Sequence, residues 1–167
     1  MVVVADSSPL LYLSRVGVLD LLAAMYGDVV VPQAVWDEVV AQRPSAPGVE
    51  AIQQARWLRV EDRDLPSEDL GLDPGETAAI LLAEALHADA LLIDERLGRK
   101  VAEARGITVR GTLGVLVQAR QVGVLPALRP VLDALVAEGF RIAPALVREA
   151  LARVGESSDE RRPPETR

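Results

Sequence analysis

Asp6 directly follows the apolar run Val2-Val3-Val4-Ala5, and Asp94 directly follows Ala90-Leu91-Leu92-Ile93. Glu76 closes the segment Asp73-Pro74-Gly75-Glu76, and the adjacent acids Asp37 and Glu38 lie among Val35, Trp36, Val39 and Val40. If such carboxylates gather, each pair at ~5 Å and an effective dielectric of ~20 repels by roughly 3 kcal/mol. Several such pairs exceed what a marginally stable domain tolerates, so protons or divalent cations must relieve them. Oxygen-only donors favour magnesium or manganese over zinc.

Each acid also has a plainer role. Asp6 and Asp94 can serve as N-cap or first-turn acids of the helices that follow them. Asp73-x-x-Glu76 spells a capping box, in which Asp73 accepts from the Glu76 amide while Glu76 reaches back. At 100° per residue both Asp37 and Glu38 fall on the flanks of an apolar helical stripe, so helical geometry does not choose between them.

The elements that must position these acids alternate in type. The β-branched run 2–5 reads as a buried strand, followed by a helix with Ser as N-cap and Pro9 in the first turn, extending to Met25. A strand over 28–31 precedes a helix from Pro32 to Gln42, a turn-rich break at 44–48 and a short helix over 49–55. Trp57 to Val60 alternates as a strand, and Glu61 to Leu72 is an exposed loop. A helix from Asp73 to His87, a strand over 90–93 and a helix over 94–105 closed by Gly106 follow. Ile107 to Val109 is a short strand, Thr112 caps a helix to Gln121, and further helices span 126–138 and 144–154. This alternation predicts an α/β fold, a three-layer α/β/α arrangement around a mostly parallel sheet with extra C-terminal helices. Ligands of such sheets gather outside the carboxyl ends of the strands, where Asp6 and Asp94 stand.

At 167 residues the chain makes one domain over 1–154, with 155–167 expected to be a disordered tail. The sequence has no cysteine, which removes thiolate nucleophiles, Cys-ligated metals and redox chemistry. Its one histidine, His87, falls near a helix end and reads as an exposed polar residue, which disfavours histidine acid–base chemistry and zinc. Ser7 and Ser8 lack a His–Asp relay and a G-x-S-x-G context, and no nucleotide-binding glycine loop occurs. The start of the chain carries no basic leader, and apolar stretches are broken by charge before the ~20 residues a membrane span needs, so a soluble, cytoplasmic protein is expected. A net charge of −7 disfavours a protein that coats nucleic acid, yet bound cations and a local arginine patch still permit an enzyme that acts on it.

The segments V-A-D-S-S-P-L-L-Y-L (4–13), V-P-Q-A-V-W-D-E-V (31–39), L-D-P-G-E-T-A-A-I (72–80), A-L-L-I-D-E-R-L-G-R-K-V-A (90–102) and G-I-T-V-R-G-T-L-G-V-L (106–116), in this order, resemble the DUF3368 branch of the PIN-like superfamily. The resemblance implies an acidic quartet of Asp6, Glu38, Glu76 and Asp94, with Glu95 as an auxiliary ligand, around Mg2+ or Mn2+. It implies a metal-dependent ribonuclease that hydrolyses RNA phosphodiesters, as in VapC-type toxins held inactive by an antitoxin protein. A homodimer is expected from the family, with the helices at 9–25 and 32–42 contributing. Ser7, Ser8, Arg96, Arg99, Lys100 and Thr112 are candidates to contact substrate. The chain departs from standard VapC toxins in carrying Asp94-Glu95-Arg96 where a Thr-x-Asp element is usual, and in its added C-terminal helices. The alternatives are a non-catalytic PIN-like protein-binding module and a haloacid dehalogenase-type phosphatase. The phosphatase needs a second Asp two residues after the first, where this chain has Ser8.

Overall fold

The computed structural model describes residues 1–156. In chain order these form β1 (Val3–Ala5), α1 (Ser7–Arg15), α2 (Leu21–Tyr26), β2 (Val29–Pro32), α3 (Gln33–Trp36), a π-turn (Asp37–Ala41), α4 (Val49–Gln54) and β3 (Leu58–Glu61). There follow α5 (Pro74–Ala85), β4 (Ala90–Leu92), α6 (Arg96–Ala104), β5 (Val109–Arg110), α7 (Thr112–Gln121), α8 (Arg129–Ala137) and α9 (Pro144–Arg153). The strands make one five-stranded parallel sheet in the order β3-β2-β1-β4-β5. This is the α/β architecture expected, with helices flanking the sheet and added at the C-terminus.

The apolar runs become strands because both faces of the sheet are covered. Val3, Val4 and Ala5 of β1, and Leu91 and Leu92 of β4, are fully buried. Helix α5 packs on β1, β2 and β4 and against α6, while α1 packs with α4, the π-turn and α7. Each large side chain sealed between these layers, such as Leu10, Leu13, Ile80, Leu82 and Leu116, contributes about 1.5–3 kcal/mol.

From β1 the chain steps outward to β2 and β3, then returns to place β4 on the other side of β1. The strand order therefore reverses between β1 and β4, which opens a crevice at their carboxyl ends. Asp6 and Asp94 border that crevice.

Local chemistry shifts several expected boundaries. The helix expected over 9–25 is divided, because Gly17 (φ 75°) takes the left-handed conformation and Val18 N donates to Leu13 O at 2.9 Å, a Schellman-type end to α1. The helix expected over 32–42 widens into the π-turn, where Gln42 N reaches Asp37 O at 2.9 Å. Asp6, not a serine, occupies the N-cap position of α1. Likewise Gly111 precedes α7, so Thr112 is the first helical residue rather than its cap. The last strand sits at 109–110 rather than 107–109, and α8 starts at Arg129 rather than Pro126.

The C-terminal helices join the body through α7 and α9 and through an edge-to-face pair of Tyr12 and Phe140, with centroids 4.8 Å apart at 78°. Glu156, in the stretch expected to be a tail, accepts from Leu128 N (2.7 Å), Arg129 N (2.9 Å) and Arg120 Nε (3.0 Å). The rest of that expected tail, 157–167, lies outside the described residues. Among the described residues no helix is long and apolar enough to cross a membrane.

Candidate functional site

The register of β1 on β4 pairs Ala5 with Leu92, and Asp6 N donates to Leu92 O at 2.9 Å. Asp6 therefore stands opposite Ile93, and Asp94 lies one residue further. Because successive side chains of a strand alternate in direction, the two aspartates leave the strand ends toward opposite sides of the crevice. Asp6 meets acids from the π-turn and the start of α5, whereas Asp94 meets Thr112 at the start of α7.

Asp6 is only 3 % exposed, and its Oδ1 has no hydrogen-bond partner among the described residues. Although it is the N-cap residue of α1, its side chain makes no capping bond. Helix capping thus does not explain why an aspartate is here. Burial is the largest influence on its carboxyl, which the Ser7 amide partly offsets; Glu76, Asp73 and Glu38 add repulsion, and the pKa is pushed up to about 7.

The π-turn separates the two acids that the sequence left undistinguished. Asp37 accepts from Gln33 Nε2 at 2.8 Å along its own helix. Glu38 instead accepts from the buried Ser7 hydroxyl at 3.3 Å. Burial and Asp73 raise the Glu38 carboxyl above its usual range, against the lowering effect of Ser7. Its approach to α5 depends on Gly75: a Cβ there would lie 2.6 Å from Glu38 Oε2.

Glu76 forms the capping box in full, its amide donating to Asp73 Oδ1 at 2.8 Å and its Oε2 accepting from Asp73 N at 3.4 Å. The return bond is long and uses one carboxylate oxygen. Burial raises the Glu76 carboxyl first, then Asp73; the Asp73 amide lowers it, and Glu95 and Glu38 raise it again. Asp73 is thus a further acid of this cluster, acting on Asp6, Glu38 and Glu76 alike. Sequence reasoning used it only as a cap. The signal was the box itself, which brings both of its carboxylates to one helix start.

Asp94 does not cap the helix that follows it. That position belongs to Glu95, which accepts from Leu97 N at 3.2 Å. Instead Asp94 Oδ1 accepts from Thr112 N and Oδ2 from Thr112 Oγ1, both at 2.7 Å. Thr112 is fully buried, so this side chain fixes Asp94 rather than presenting a hydroxyl to solvent. Burial still raises the Asp94 carboxyl, against the Thr112 hydrogen bonds and Arg99. Gly111 leaves room for it, since a Cβ there would sit 3.1 Å from Asp94 Oδ1.

Asp94, Glu95, Ser8 and Arg99 line one end of an open groove of about 1020 Å³. Arg96 and Lys100 are exposed on the first turns of α6. The structure therefore brings Asp6, Glu38, Glu76 and Asp73 together electrostatically and sets Asp94 toward the groove, while Glu95 both acts on Glu76 and lines the groove.

The sequence profile of DUF3368, a PIN domain, matches residues 2–156. The chain belongs to this PIN-domain family. No curated protein and no solved structure matches it. Divalent metal ions often serve PIN domains, and the donor chemistry here suits them: an all-carboxylate set with a buried, unpartnered oxygen on Asp6. Among the described residues, however, no group of three acidic, histidine or cysteine side chains is spaced to hold an ion as it stands. In this PIN domain the two strand-end aspartates have different surroundings, one with an unpartnered Oδ1 and one with both oxygens held by Thr112.

Proposed function

We propose that this PIN domain is a metal-dependent ribonuclease that hydrolyses RNA phosphodiester bonds. The observation that carries the reading is the buried Asp6 carboxylate, its Oδ1 unpartnered, beside Glu38, Glu76 and Asp73 at the switch point of a PIN-family sheet. Asp6, Glu38 and Glu76 would form one side of the metal-holding catalytic set, which Asp94, with Glu95 as auxiliary ligand, would complete from the other side of the crevice. A magnesium or manganese ion bound there supplies a water of lowered pKa and stabilisation of charge on the leaving oxygen. The protein's own part is orientation: Ser7 steers Glu38 through its hydroxyl, and Thr112 holds Asp94 in one rotamer. Ser8, Arg96, Arg99 and Lys100 offer a hydroxyl and cationic groups to the phosphates.

In the cell the chain acts as the toxin of a VapBC-type pair, restrained by an antitoxin protein and assembled as a homodimer. A neighbouring gene for a small DNA-binding antitoxin supports this, and a solitary gene counts against it. A second reading, a PIN fold kept only for protein binding, is favoured by the lack of a preassembled three-acid cluster among the described residues. A cleavage assay with manganese on structured and single-stranded RNA separates the two. Cleavage by the wild type, lost in Asp6→Asn and Asp94→Asn with both variants folded, supports the nuclease. Absence of metal-dependent cleavage by the wild type overturns it.

A further inference from the structure

The groove that begins at Asp94, Glu95 and Ser8 continues along α7 to the segment before α9 and to α9 itself. Beyond its acidic end the lining carries Arg110, Arg141 and Arg153 against a single acid, Glu149. This is a local reversal of charge in a chain of net charge −7. Arg153 is partly neutralised by Glu149 at 2.9 Å, while Arg141 is exposed.

Tyr12 and Phe140, packed edge to face, also line the groove. Aromatic rings beside arginines are the surfaces on which unpaired bases stack. The floor includes Gly114, an exposed residue within α7. Glycine inside a helix costs about 1 kcal/mol relative to alanine, and a Cβ at this position would meet nothing within 4 Å. No internal packing requires that glycine. Close approach by a ligand backbone supplies a reason for it.

We propose that this groove binds single-stranded RNA on one side of the scissile phosphate, with Arg141 and Arg153 on the backbone, a base on Phe140 and the strand passing over Gly114. The C-terminal helices are then a substrate-binding addition to the domain. The inference rests on the ribonuclease reading for its substrate, but binding can be measured without cleavage.

The test is fluorescence anisotropy of a short labelled single-stranded RNA with the full chain in EDTA, which removes cleavage. The double variant Arg141→Glu/Arg153→Glu should weaken binding by at least about tenfold, and the salt slope should fall by about 1.4 for two lost phosphate contacts. Gly114→Leu, which leaves the charge unchanged, should also weaken binding. The double variant Arg56→Glu/Arg148→Glu, two exposed changes outside the groove lining, carries the same change in net charge and should weaken binding far less. Thermal unfolding verifies that each variant is folded. If the Arg141→Glu/Arg153→Glu variant binds within twofold of Arg56→Glu/Arg148→Glu, or if the wild type binds no single-stranded RNA, the proposal is overturned. Loss of binding in the groove variants without wild-type cleavage would remove the nuclease reading and leave the groove standing. Metal-dependent cleavage with unaffected binding would do the opposite.

Discussion

Replacing Asp6 by asparagine should make the metal-free protein more stable at pH 8, an unusual result for a buried polar residue at a functional site. The Asp6 carboxyl is raised from 3.8 to about 7, a shift of about three units worth about 1.4 kcal/mol each. In the folded state the proton is held more tightly than in the unfolded chain. This contribution to stability is therefore fully present below pH ~4 and is lost as pH rises through about 7. Above that, the ionised carboxylate costs the fold about 4 kcal/mol, an upper figure because nearby groups relax. Asparagine removes the charge but leaves an amide short of partners, which returns about 1–3 kcal/mol of the gain. A net stabilisation of about 2 kcal/mol remains, or roughly 4–8 °C in Tm for a domain of this size. Urea unfolding in EDTA at pH 4.5 and pH 8 measures it. The Asp6→Asn advantage should be present at pH 8 and shrink or reverse at pH 4.5. Equal differences at the two pH values, or a variant less stable at pH 8, would refute the argument. Manganese should then stabilise the wild type, by about 2.7 kcal/mol at a hundredfold excess over Kd, and stabilise the variant less.

Thr112→Val should cost at most about 1.5–3 kcal/mol by removing the hydroxyl donor of the half-buried Asp94 Oδ2, whereas Thr112→Ser should retain most of the stability in urea unfolding. Gly75→Ala should leave Tm nearly unchanged, because the group it meets is the far end of a flexible side chain, Glu38 Oε2 at 2.6 Å. It should nevertheless reduce stabilisation by manganese, and an effect on Tm without any on manganese dependence would count against Glu38 as a ligand. Burial tends to raise the Glu156 carboxyl, but the Leu128 and Arg129 amides and Arg120 outweigh it and hold the group below its usual range. Its stabilising effect is therefore present above the unfolded pKa and lost as pH falls through the lower folded value. Glu156→Ala should lower Tm at pH 7 and approach the wild type on acidification; a pH-independent gap would assign the loss to packing instead.

The sequence by itself determined the class of fold and the two strand-end aspartates. Runs such as Val2 to Ala5 and Ala90 to Ile93 read as strands because both faces of a parallel sheet are buried, and an acid directly after such a run must emerge at the carboxyl edge. It also spelled the Asp73 and Glu76 capping box, since both partners lie within one turn. It did not show where α1 ends, because Gly17 could have been carried inside a helix and only the Val18 closure identifies the break.

The environments of the acids were decided by tertiary structure. Strand register and pleat sent Asp6 and Asp94 to opposite sides of the crevice, a matter of one residue in the pairing of β1 with β4. The π-turn gave Asp37 to Gln33 and Glu38 to Ser7, a choice that periodicity alone left open. Asp94 found its donors in Thr112, 18 residues away, and Asp6 lost its water to burial without gaining a bond to Oδ1. Local sequence sets which groups reach the sheet edge; hydrogen bonding and solvent exposure there are set by elements distant in the chain.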